Sequence, residues 1–204
     1  MVYKLIFIRG FQMATRKIKK SITEKEYKFL MSHARGDDSL KTFNRDRFLM
    51  IFSFLFFSGI RINEISQIKY KHIKEIFENG ETVIVAHKTK NERVLFFSEN
   101  AIKEIRKYFD PAKNDEEDFV ICSWGNPKTK LHDISLINLV NKYMNKVLGE
   151  GFTSHSFRQG ILTEMGSRSI NPKIMQSFIG HSDVKTTLRY VKPTAADVKM
   201  SLVR

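Results

Sequence analysis

The chain has 204 residues, enough for one good-sized core but tight for two full domains. Its 42% hydrophobic and 28% charged residues are those of a folded rather than a disordered chain. The 35 Lys and Arg against 22 Asp and Glu give a formal net charge of +13, which points to nucleic acid as partner without specifying any chemistry. A single cysteine, Cys122, excludes an internal disulfide and fits a reducing, cytoplasmic compartment.

Residues 1–20 read as a basic N-terminal extension, a candidate for disorder, ending in the cluster RKIKK from Arg16 to Lys20. Leu5–Ile8 is too short for a secretory signal, and no small-residue cleavage site follows it. Thr23 and Glu26 form a capping box that starts a helix through about His33. The run FLMIFSFLFFSGI, Phe48 to Ile60, is shorter than the roughly 20 residues of a membrane span, so it reads as a buried core helix ending near Gly59. In INEISQI the apolar residues Ile62, Ile65 and Ile68 recur at helical spacing, which puts Arg61 and Glu64 on one face. Thr82–Ala86 and Val94–Phe97 form two strands joined by the basic turn HKTKNE, the one clear sheet signal.

Beyond it, Ser98 caps a helix to about Phe109, and Pro111–Asp118 is a polar loop. Asp133 or Ser135 caps a further helix to about Leu148, where Gly149 and Gly151 break it. Three shorter helices are expected at Ser154–Gly166, at Pro172–Ile179 closed by Gly180, and at Asp183–Tyr190. Pro193 interrupts the chain before a last short helix from about Thr194. The expected fold class is mainly α with a small antiparallel β-hairpin (α+β).

The residues that carry chemistry are weak one at a time. His155 and Arg158 lie three apart in SHSFR, and His181 precedes Tyr190 by nine residues in GHSDVKTTLRY. Their order along the chain is more specific: Arg61 after SGI, a hairpin lysine, the His155–Arg158 pair, then His181 and Tyr190. Across roughly residues 20 to 192, with the motifs SGIRINEI, HKTKNERV, HSFR and FIGHSDVKTTLRY, the sequence resembles the tyrosine recombinase (phage integrase) family.

That resemblance implies site-specific strand transfer without metal or other cofactor. Tyr190 is the expected nucleophile, forming a 3′-phosphotyrosyl bond and releasing a 5′-hydroxyl. Arg61 and Arg158 are expected to clamp the non-bridging oxygens, as bidentate donors that lysine cannot imitate. Lys88 is the expected general acid, with Lys90 as competitor should the hairpin register shift by two. His155 is expected to help accept the tyrosine proton, His181 to donate to a non-bridging oxygen, and Glu64 to support the catalytic groups rather than react.

The resemblance also implies a catalytic domain at 21–192 acting on double-stranded DNA as a homo-tetramer. Residues 193–204 form a C-terminal helix that docks on a neighbouring protomer or on its own domain. No membrane and no small-molecule substrate is expected. Two departures stand out: Gln159 replaces the histidine that many members carry after the second arginine, and only about twenty residues precede the first catalytic-domain helix. In size the chain is similar to the invertases of fimbrial phase switches, or to a piece of a longer recombinase. A type IB topoisomerase shares the same residue logic, and a non-catalytic DNA-binding factor is the alternative of a different class. No HExxH, paired Cys-x-x-Cys or GxxxxGK[ST] motif supports metal-dependent or ATP chemistry.

Overall fold

The computed structural model describes residues 20–86, 90–123, 125–181, 183–191 and Lys199. Lys88, the expected general acid, therefore lies outside the described residues, as do residues 1–19 and, Lys199 aside, the expected C-terminal helix at 193–204.

Helix α1, Glu24–Gly36, starts where the capping box places it, with the Thr23 N–H donating to the Glu26 carboxylate at 2.9 Å. Just before it, the Lys20 N–H donates to the Gly151 carbonyl at 3.2 Å. Helix α2, Thr42–Ser58, is the pillar of the core. Phe48, Leu49, Ile51, Phe52, Phe54 and Leu55 are buried around its circumference, as expected of a helix apolar on every side. It begins at Thr42 rather than at Phe48 because the polar turn TFNRDR continues the helix before burial starts. No described helix is long and apolar enough to cross a membrane.

A single turn, α3 (Ile62–Ile65), leads to α4 (Tyr70–Asn79), a helix absent from the expected elements; it buries Ile73 and Ile76 and packs Tyr70 and Phe77 on the core. Strands β1 (Glu81–Val85) and β2 (Glu92–Phe96) pair antiparallel, with Thr82 opposite Leu95 and Ile84 opposite Arg93. Thr82, Ile84 and Leu95 are buried, so this is the inward face of the hairpin. Helix α5 is shorter than expected, Glu99–Ile105, with Ser98 as its cap. A second two-stranded pairing, β3 (Cys122–Ser123) with β4 (Asn126–Lys130), corrects the expectation of a single sheet.

Helix α6, Asp133–Leu148, is capped by His132 rather than by Asp133 or Ser135. Helices α7 (Ser154–Ser167), α8 (Pro172–Ile179) and α9 (Val184–Leu188) complete the described fold. Aromatic stacking joins α2 to its neighbours, with Phe48 on Tyr143 at 4.3 Å and Phe52 on Phe157 at 5.9 Å between ring centroids. A smaller apolar cluster, Leu162, Met175 and Ile179, lies between α7 and α8, and Tyr190 packs against it. The architecture is mainly helical with small antiparallel pairings, the α+β class expected.

Candidate active site

The end of α2 builds the first wall of the site. Gly59 adopts φ +58, so the left-handed turn favours glycine, and a Cβ there would also lie 2.6 Å from the Ile179 side-chain tip, Cδ1, which would have to move. The turn exposes the Gly59 carbonyl to Arg158, whose Nη1 donates to it at 2.9 Å while Nη2 donates to the Ile179 carbonyl. Arg158 is 2% exposed and sits in the middle of α7. Burial pushes its pKa down to about 9, with Arg61 and Arg93 acting the same way and Glu64 and Tyr190 opposing them. It stays a cation at neutral pH.

Two residues beyond Gly59, Arg61 caps α3. Its backbone N–H donates to Glu64 Oε2 at 3.0 Å and its Nη1 donates to Oε1 at 3.0 Å. Glu64 is fully buried, so this is no ordinary surface helix pair. Burial alone would raise the Glu64 pKa, but ion pairs with Arg93 and Arg61 overcome it and hold the carboxyl below its ordinary value. Arg61 Nη2 also reaches the Gly180 carbonyl at 3.5 Å.

Arg93 lies inside the HKTKNERV stretch, but it is not among the residues expected to carry chemistry. It bonds Glu64 Oε2 at 2.7 Å through Nη2 and leaves only 9% of its side chain exposed. Alternation along β2 carries a signal for it: Leu95 faces inward, so Arg93, two residues earlier, faces inward too, and an inward charge needs a partner. Among the described residues the cluster thus sets three guanidinium groups, on Arg61, Arg93 and Arg158, against one carboxylate.

His181 follows Gly180, which closes α8 in the left-handed conformation at φ +67. Its backbone is held by Gln176, whose carbonyl accepts from the His181 N–H at 3.2 Å and whose Nε2 donates to the His181 carbonyl at 3.0 Å. The ring Nδ1 lies 2.9 Å from Thr187 Oγ1, and Thr187 is fully buried in α9. Burial first, then Arg158, Arg61 and His155, pushes the imidazole pKa down to about 4. His181 is therefore neutral at pH 7. Thr187 is the second residue not expected at the site; it lies inside FIGHSDVKTTLRY as one of an unremarkable TT pair, and the placement of its hydroxyl depends on α9.

His155 is exposed on the first turn of α7. Tyr190 is half-buried after α9, and its backbone carbonyl is seated on Gly166 of α7, where a Cβ would lie 2.0 Å from that oxygen. The structure thus gathers Arg61, Glu64, His155, Arg158, His181 and Tyr190 through direct bonds or electrostatic reach. Of the two candidate lysines only Lys90 is described, exposed in the hairpin turn at φ +60.

The model of the Phage integrase family matches residues 20–197. Tyrosine recombinase XerA of Pyrococcus horikoshii is 28% identical over 187 residues, which cover 92% of this chain and 61% of that protein. The crystal structure of XerA recombinase superposes with a TM-score of 0.67 at 19% identity, covering 90% of this chain and 64% of the other. XerH site-specific recombinase, solved bound to its difH substrate before cleavage, gives a TM-score of 0.68 at 16% identity, covering 93% of this chain and 55% of the other. The chain spans about three fifths of the length of the curated relatives it matches. The fold is the one these recombinases share.

Proposed function

This chain belongs to the phage integrase family, and from that premise we propose that it is the strand-cleaving unit of a site-specific DNA recombinase acting on double-stranded DNA. The observation that carries the reading is the charge of the buried cluster. Three guanidiniums against one carboxylate leave two positive charges in excess. A phosphodiester brings one negative charge, and its pentavalent transition state brings more, so the cluster favours the transition state over the bound ground state.

In this reaction the Tyr190 hydroxyl loses its proton and attacks the phosphorus while the bond from phosphorus to the 5′ oxygen breaks. A 3′-phosphotyrosyl bond forms, the 5′ oxygen takes up a proton, and the reverse attack by a 5′-hydroxyl restores the backbone. Arg61 and Arg158 hold the non-bridging oxygens, and their prior anchoring by Glu64, Gly59 and Ile179 means that little reorganises at the moment of reaction. His181, neutral at pH 7, has one N–H to give. We assign Thr187 as the donor to Nδ1, which places that hydrogen on Nε2, where it can be given to a non-bridging oxygen. His155, exposed beside these groups, accepts or relays the tyrosine proton. Lys88 is proposed as the general acid, with Lys90 as its competitor in the same turn.

Assembly as a homo-tetramer on two duplexes belongs to the proposal, as does docking of residues 193–204 on a neighbour. Two duplexes of different length, selected by binding to this chain from a randomised pool, test it. Joined products that form equally well in chelator support recombination. Relaxation of a supercoiled plasmid with no joining would instead assign the chain to type IB topoisomerase chemistry.

A further inference from the structure

We infer that Arg93 is a positioning residue of the cleavage reaction, acting on the phosphate through Glu64 and Arg61; the inference rests on the functional reading above. One carboxylate is shared by two guanidiniums. Oε1 faces Arg61, whose side chain is 29% exposed, and Oε2 faces Arg93, sealed behind it at 9%. Glu64 is itself fully buried, so the pairing on either side fixes its orientation.

Arg93 Nε and Nη1 are buried and have no hydrogen-bond partner among the described residues, which leaves Glu64 as the group that holds its charge. A buried cation with one anchor presses hard on that anchor, because losing it would strand the charge. The same side chain lies directly under the turn before His181: a Cβ on Gly180 would come 2.9 Å from Arg93 Cδ and 3.3 Å from Nη1. Arg93 therefore joins the hairpin, the Arg61–Glu64 turn and the Gly180–His181 turn. Its unpartnered nitrogens are sealed from solvent, so a phosphate cannot reach them directly and the effect passes through Arg61.

The test compares single-turnover cleavage of a nicked duplex, selected by binding to this chain, with cleavage of the same duplex bearing a methylphosphonate at the mapped scissile position. The methyl group removes the non-bridging charge that Arg61 is there to meet. Arg93→Gln is expected to slow cleavage of the phosphate about 10- to 100-fold with duplex binding retained, and to lose most of that defect on the methylphosphonate. Arg93→Lys, which keeps a charge for Glu64, is expected to recover part of the rate on phosphate. A double variant with Glu64→Gln should be little worse than either single one, because both act on the same guanidinium.

Equal losses on both substrates, tracking the folded fraction, would overturn the inference and leave Arg93 a stability residue. If Arg93→Gln fails to fold, Arg93→Lys carries the same two-substrate comparison: a defect confined to the phosphate supports the inference, and equal losses overturn it. A wild-type chain that forms no covalent adduct overturns the functional reading and this inference with it. A wild-type adduct with an unimpaired Arg93→Gln variant overturns the inference alone.

Discussion

Gly166→Ala isolates the placement of the nucleophile from every charged group in the site. A Cβ at residue 166 would lie 2.0 Å from the Tyr190 carbonyl oxygen, where ordinary contact begins at 3.4 Å, so the difference of 1.4 Å must come from movement of α7 or of the Tyr190 backbone. The partner atom is backbone, not the tip of a flexible side chain, and cannot rotate aside. A misplacement of about 1 Å can cost about 10²-fold in rate, so covalent-complex formation should slow by at least that factor. Global stability changes less, because alanine gains up to about 1 kcal/mol of helix propensity over glycine and offsets part of the strain. Single-turnover cleavage of a nicked duplex measures the rate, and a filter or gel-shift assay checks that duplex binding persists. Gly36→Ala, where a Cβ meets nothing within 4 Å, should cleave like wild type. A Gly166→Ala variant that also cleaves at the wild-type rate would refute the seating of Tyr190 on α7.

Thr187→Val keeps the shape of the side chain but removes the hydroxyl beside His181 Nδ1. Cleavage should fall roughly tenfold, the value of about one hydrogen bond, while Thr187→Ser retains most activity; equal rates for Val and Ser would argue against the tautomer role. His181 should titrate by NMR near pH 4. Its folded pKa lies below the ordinary 6.5, so the unfolded chain takes up the proton first and the protein loses stability as pH falls from 6.5 towards 4. A midpoint at or above 6.5 contradicts this environment. Gly59→Ala forces a side chain into φ +58 and against Ile179, costing roughly 1–2 kcal/mol for the backbone alone. At roughly 2–4 °C per kcal/mol, Tm should drop by roughly 2–8 °C in thermal denaturation, and an unchanged Tm would count against the strain.

What could be read from sequence was whatever local rules govern. Thr23 with Glu26, Pro172 with Gly180 and the β-branched run Thr82–Val85 each fix an element through neighbours a few residues away. Helix α4 escaped because its cap, Lys69 with His72, is not a residue type that announces a helix start, although Tyr70, Ile73, Ile76 and Phe77 do recur at helical spacing and pack on the core. The β3–β4 pairing escaped because every residue of β4 is exposed and none alternates. At the site, motif order brought together Arg61, His155, Arg158, His181 and Tyr190, with Glu64 one turn from Arg61. Arg93 and Thr187 needed the fold: one meets a carboxylate 29 residues away across the hairpin, the other turns back on the histidine six residues before it.

The central claim is that Tyr190 becomes covalently joined to DNA. Incubating wild-type chain and Tyr190→Phe with an end-labelled nicked duplex, then resolving both on a denaturing gel, tests it most directly. A protein-linked 3′ end is expected with wild type and none with Tyr190→Phe, at equal duplex binding. A covalent complex that persists in Tyr190→Phe would contradict it.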